Sequence, residues 1–110
     1  MGLRRENILP SSSITTIFRS TRKKIDGSGI VLYYLEVPEE FKTSIMVYKK
    51  VGNAVRRNRI KRVIKTFLAE NIKEVKSGYY FLVVKEDKPD ADLKSLTLHL
   101  MLKGRLIKDV

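Results

Sequence analysis

The stretch Lys49-Lys50-Val51-Gly52-Asn53-Ala54-Val55-Arg56-Arg57-Asn58-Arg59-Ile60-Lys61-Arg62-Val63-Ile64-Lys65-Thr66-Phe67-Leu68 decides how this chain is organised. Ile60, Val63, Ile64, Phe67 and Leu68 recur at the spacing of a helix and define one apolar stripe. Gly52-Asn53 breaks the preceding pattern: Asn53 is placed to cap the helix, and Gly52 to give the corner the unusual dihedrals a side chain resists. At about 100° per residue, Asn58, Arg59, Arg62 and Lys65 fall on the face opposite the stripe, with Lys61 at its edge. Arg56 and Arg57 project over the core side, but from the first turn, where they can reach past the sheet edge. Several guanidinium and ammonium groups therefore ride on one rigid rod, beside an amide able to bond a phosphate or a base edge. Arg binds two phosphate oxygens at once, while Lys supplies a point charge. Cations in a first helical turn oppose the macrodipole by about 0.3–1 kcal/mol each. A sequence shaped only by stability would place acids there, so Arg56 and Arg57 imply a bound polyanion. RNA and DNA are not distinguished by this pattern.

The wider charge distribution agrees. The chain has 110 residues, 23 Lys and Arg against 12 Asp and Glu, and a net charge of +11. Between Phe41 and Ala69 stand nine bases and no acid; residues 1–25 hold Arg4, Arg5, Arg19, Arg22, Lys23 and Lys24 against Glu6 alone. The remainder is slightly acidic. A surface made basic only for solubility would mix its signs, and a field of this sign recruits phosphate. With no cysteine there is no disulfide framework, thiolate metal site or cysteine nucleophile. The apolar run Ile30–Leu35 is far shorter than the ~20 residues of a membrane span, and Met1-Gly2-Leu3-Arg4-Arg5-Glu6 opens no signal peptide. A cytoplasmic setting is expected.

Working outward, Ile14, Ile17 and Phe18 follow Ser11-Ser12-Ser13 at helical spacing and predict an N-terminal helix. Asp26-Gly27-Ser28-Gly29 is a turn, Ile30–Val37 a buried strand, and Lys42–Lys50 a second strand with Ile45 and Val47 on one side. After the basic helix, Ser77-Gly78 turns into a strand over Tyr79–Lys85. Leu93, Leu96 and Leu100 then predict a helix ending near Gly104. The fold class is α+β: one domain over residues 1–110, a small mixed sheet packed against helices in the order helix-strand-strand-helix-strand-helix, with room for an extra strand. Residues 1–10 are expected to be flexible and 104–110 to fray. Glu86, Asp87, Asp90 and Asp92 lack metal-ligand spacing and read as a loop and helix cap. His99 stands alone, without an Asp or Ser pattern, and reads as a surface or satisfied core residue. No catalytic and no metal-ligating residue is assigned.

From Lys49 to Arg62 the chain meets every fixed position of Lys-Lys-x-Gly-x-Ala-x-x-Arg-Asn-x-x-Lys-Arg, and so resembles the signature of the bacterial ribonuclease P protein subunit. Length, charge and element order agree over nearly the whole chain. That resemblance implies a subunit assisting a catalytic RNA that removes the 5′ leader from precursor transfer RNA. The RNA performs a metal-assisted hydrolysis, with Mg2+ bound mainly by the RNA, no protein-bound cofactor and no obligate protein partner. Arg57, Asn58, Arg59, Lys61, Arg62 and Lys65 would contact the catalytic RNA, with Asn53 and Arg56 in the same RNA-binding set. Lys49 and Lys50 either cap an edge strand or, as the motif favours, meet RNA or leader phosphate. Ile14, Phe18, Val31 and Tyr33 match positions of a leader-binding cleft between the N-terminal helix and the sheet. A base stacked on an aromatic is worth about 1–3 kcal/mol whatever the sequence, which suits a variable leader. Without the resemblance, Phe18 and Tyr33 would read as core.

The resemblance also implies a left-handed crossover from the Lys42–Lys50 strand through the basic helix to the Tyr79–Lys85 strand, against the general right-handed preference. Departures from the family pattern are Ile14 for a Phe, Ser44 for a Gly, Lys42 and Lys85 for Arg, and no Gly in Arg19-Ser20-Thr21. Two alternatives stand beside this reading. One is a ribosomal or general RNA-binding protein of related fold. The other, a free-standing nuclease, fails for want of a His pair, an acidic metal cluster or a nucleophile arrangement.

Overall fold

A computed structural model of the chain describes residues 23–107. The expected N-terminal helix, with Ile14 and Phe18, lies outside them. Four strands form one sheet in the order β1-β2-β4-β3: β1 Lys23–Asp26, β2 Ile30–Leu35, β3 Phe41–Val47 and β4 Gly78–Val84. Helix α1, Ala54–Glu70, joins β3 to β4, and helix α2, Asp90–Lys103, follows. β4 runs antiparallel to β2 and parallel to β3, so the sheet is mixed, as expected. The extra strand is β1, paired antiparallel to β2 with Lys23 opposite Tyr34 and Asp26 opposite Val31.

Alternation along the strands sends successive side chains to opposite faces. Ile30, Leu32, Tyr34, Ile45, Val47, Tyr80, Leu82 and Val84 form one core with Ile60, Ile64 and Leu68 of α1 and Leu93, Leu100 and Met101 of α2. Val63, Phe67 and Leu96 pack at its margin. Burying each such α1 side chain is worth about 1.5–3 kcal/mol, which seats the helix and fixes its rotation. On the other face Phe81 and Val83 are buried with Tyr33, Leu35, Tyr48 and Tyr79 around them.

Two strands are shorter than the sequence suggested, because their partner runs out. β2 stops at Leu35, which is opposite Tyr79 near the start of β4. β3 stops at Val47; Tyr48 still donates its N–H to Val84 O, the last residue of β4. With no strand left beside them, Lys49–Val51 wind into a 3-10 turn closed by Val51 N–H to Tyr48 O at 3.0 Å. The corner glycine also differs in its reason. Gly52 has φ 166°, ordinary extended backbone; a Cβ there would sit 3.1 Å from Arg56 Cγ.

Helix α2 ends as expected at Gly104, whose missing side chain makes room for Ile25. The left-handed residue is the next one, Arg105, at φ 57°, which lets Leu106 N–H reach Met101 O at 2.8 Å. Such a conformation costs a non-glycine residue about 1–2 kcal/mol. Residues 104–107 do not trail away, as the sequence reading expected. Leu106 is fully buried, its carbonyl accepts from Lys76 N–H, and Ile107 bridges to Val75.

Candidate nucleic-acid interface

Asn53 caps α1 as read from the sequence: its side-chain oxygen accepts from Arg56 N–H at 2.9 Å. The cap fixes where the helix starts, and therefore the direction in which each basic side chain leaves it. Lys49, Lys50 and Asn53 are exposed on the turn leading into the helix. Asn58 and Arg62 are exposed along it, with Lys65 half-buried on the same side and Lys61 half-buried at the edge. Asn58, Arg62 and Lys65 follow one another at i, i+4 and i+7, one straight line of donors. None of the three has an anionic partner among the described residues.

The other arginines are engaged. Arg57 folds back along its own helix start and donates Nε–H to Gly52 O at 3.1 Å. Arg56 reaches past the sheet edge to the loop after β4, placing Nη2 2.7 Å from an Asp87 oxygen and 2.5 Å from Lys88 O. Arg59 holds Asp90 at 2.6 Å, and Asp90 is also 3.6 Å from Arg56. The hydrogen bond from Arg59 draws the Asp90 carboxyl below the usual aspartate range, with Arg56 adding to the field. Hydrogen bonding to Asp87 in turn raises the Arg56 guanidinium further.

This corrects the reading of the acidic loop. Asp90 and Asp92 do not cap α2, whose N-cap is Pro89 with no side-chain cap bond. They occupy its first turn, where a negative charge suits the macrodipole, and Asp90 neutralises part of the neighbouring basic helix. Sequence reasoning missed the pairing because the partners lie 31 residues apart. Among the described residues, no three His, Cys, Asp or Glu side chains converge as a metal cluster. His99 is exposed on α2.

Val31 and Tyr33 lie on the sheet face away from α1 and α2. Val31 is buried; Tyr33 is half-buried, its ring 6.0 Å from that of Phe81 and 5.9 Å from Lys24 Nζ. Tyr79, with Lys42 Nζ 5.9 Å from its ring, and Tyr48 share this face. Half-buried aromatic rings edged by lysines are the kind of groups on which unstacked bases can stack. The sequence reading named neither tyrosine, although both stand on the Tyr33 side of the strand alternation. The sheet separates these rings from the α1 donors. No described helix is long and apolar enough to cross a membrane.

Known proteins of similar fold and related sequence accord with this geometry. The solved structure of the Staphylococcus aureus RNase P protein superposes with a TM-score of 0.85 at 20% identity, covering 96% of this chain and all of that one. The RNase P protein from Thermotoga maritima gives 0.73 at 18% identity, over 94% of this chain and 96% of the other. At that identity the likeness concerns the fold. Sequence carries the rest: a ribonuclease P protein component of Mycoplasma capricolum is 37% identical over 90 residues, 81% of this chain and 82% of the relative. Another, from Halalkalibacterium halodurans, is 38% identical over 85 residues, 71% of each. The family model described as Ribonuclease P matches residues 3–104, and with a signature helix and a mixed sheet in place, the chain belongs to the ribonuclease P protein family.

Proposed function

We propose that this chain is the protein subunit of ribonuclease P in the cytoplasm, docking on the catalytic RNA through α1. The 5′ leader of precursor transfer RNA crosses the opposite sheet face. The observation that carries this reading is the line Asn58, Arg62 and Lys65, exposed or half-exposed and with no carboxylate in ion-pair contact among the described residues. In a chain with 12 acids, leaving that line unpaired costs like-charge repulsion, which RNA phosphates relieve. Lys49, Lys50, Arg57 and Lys61 extend the same field, while Asn53 sets its origin by capping the helix. Val31 and Tyr33 floor the leader path, and stacking on Tyr33 tolerates any leader sequence.

Leader hydrolysis belongs to the RNA and the magnesium it binds. Among the described residues no acids converge as a metal cluster, and in the loop after β4 Asp87 and Asp90 are taken by Arg56 and Arg59 while Glu86 lies 3.5 Å from Lys88 Nζ. Its work is to bind, orient and neutralise.

The test is cleavage of precursor transfer RNA by a bacterial ribonuclease P RNA at low magnesium, with and without the protein. Stimulation with the RNA and no cleavage by protein alone is expected. Arg59→Ala with Arg62→Ala should weaken binding to the catalytic RNA while leaving the fold intact. Tight RNA binding without stimulation would instead favour a general RNA-binding protein.

A further inference from the structure

Helices α1 and α2 leave a notch of about 170 Å3 between them, lined by Arg59, Arg62, Val63, Thr66, Asp90 and Lys94. An engineered cavity of about 150 Å3 holds a benzene ring, so this one has room for a phosphate group. Its charge is unusual for a seam between two helices of one chain. Arg62 from α1 and Lys94 from α2 line the same space, both exposed, and neither has an anionic partner among the described residues. The one carboxylate in the notch, Asp90, is turned to Arg59 at 2.6 Å and lies 3.6 Å from Arg56. Arg56 is shared in turn with Asp87 at 2.7 Å. Four cations thus meet two carboxylates around the seam, and the two unmatched ones, Arg62 and Lys94, both line the notch. Thr66 adds a hydroxyl on the α1 wall.

We propose that this notch is a phosphate site for the backbone of the catalytic RNA, with Lys94 of α2 as an RNA-binding residue outside the signature helix. The inference rests on the docking role of α1 and extends the docking surface onto a second element. Two helices would then grip one phosphate from both sides, which fixes the angle at which α1 lies on the RNA. A single helix face leaves that angle free. Asp90, bonded to Arg59 at 2.6 Å, leaves Arg62 and Lys94 as the cations of the notch with no ion pair among the described residues.

The experiment compares Lys94→Gln, Arg62→Ala and Lys73→Gln, the last an exposed lysine outside the notch, in the full chain. Affinity for a bacterial ribonuclease P RNA is measured across 50–200 mM salt. Lys94→Gln should weaken binding about threefold and reduce the slope of log affinity against log salt by about 0.7–0.9, with unchanged melting temperature. Lys73→Gln should leave both where they were. If Arg62→Ala weakens binding and Lys94→Gln does not, the notch is no phosphate site, although the docking role of α1 stands. If neither variant matters, that docking role falls as well. A loss shared equally by Lys73→Gln would reduce Lys94 to general surface charge and overturn the site.

Discussion

Replacing Arg62 removes a guanidinium that makes no ion pair among the described residues, whereas removing Arg59 and Asp90 together deletes a pair held at 2.6 Å. The two changes should differ sharply in how RNA binding responds to salt. Each phosphate contact releases condensed counterions and contributes about 0.7–0.9 to the slope of log affinity against log salt. Lys49, Lys50, Arg57, Lys61, Arg62 and Lys65 are the cations of this segment without an acid partner, so their joint slope is about −4 to −5.5. Between 50 and 200 mM salt that is a loss of between about 300-fold and 2,000-fold in affinity. Arg62→Ala should flatten the slope by nearly one unit. The double variant Arg59→Ala with Asp90→Ala leaves net charge unchanged and should leave the slope close to wild type. Fluorescence anisotropy of a labelled bacterial ribonuclease P RNA, titrated at four or more salt concentrations, reads both. A double variant that flattens the slope as much as Arg62→Ala would refute the division of the helix into paired and unpaired cations. A wild-type slope near −1 would refute the phosphate-binding face itself.

Removing the helix cap by Asn53→Ala should lower unfolding free energy by about 1 kcal/mol, measured in urea, with Asn53→Gly recovering most of it. An unchanged midpoint would mean that Asn53 does not set the start of α1. The Asp90 carboxyl ionises more readily in the folded chain, chiefly through its hydrogen bond from Arg59, so its contribution to stability is present above the ordinary aspartate value of about 3.9 and disappears as pH falls through the lower folded value. The melting-temperature gap between wild type and Asp90→Asn should hold from pH 7 to 5 and narrow below pH 4 as the carboxyl takes up its proton; a gap that does not change with pH argues against the ion pair.

The elements legible in the sequence were those whose signal is local. Helix α1 repeats its apolar stripe over five positions, and Tyr79–Val84 is continuously apolar because β4 is an inner strand, paired on both edges and with buried side chains on each face. Strand β1 escaped assignment because Lys23-Lys24-Ile25-Asp26 has one apolar residue; the edge of β2 makes it a strand, and Ile25 alone enters the core. The over-extended ends of β2 and β3 failed for the same reason in reverse. Local composition supported extension where no partner strand remained. At the interface, the direction of each α1 side chain was readable from helical spacing and one cap. The pairing of Arg56 and Arg59 with Asp87 and Asp90 was not, and neither was the approach of Lys94. Both arise from how α2 packs against α1, a relation between segments that periodicity does not encode.

The strand order carries a consequence for how the chain comes into being. β2 and β3 are not neighbours; each finds its ladder in β4, and β4 is separated from β3 by the whole of α1. During synthesis the β1–β2 hairpin can close early, but β3 emerges with no partner strand at its side. The sheet is completed only when residues 78–84 leave the ribosome, and the core is closed later still by α2. Non-local pairing of this kind delays folding until the loop is closed. A nascent chain that has emerged as far as residue 77 would therefore present α1 with its cations displayed and its apolar stripe uncovered, able to meet RNA before the domain beneath it exists.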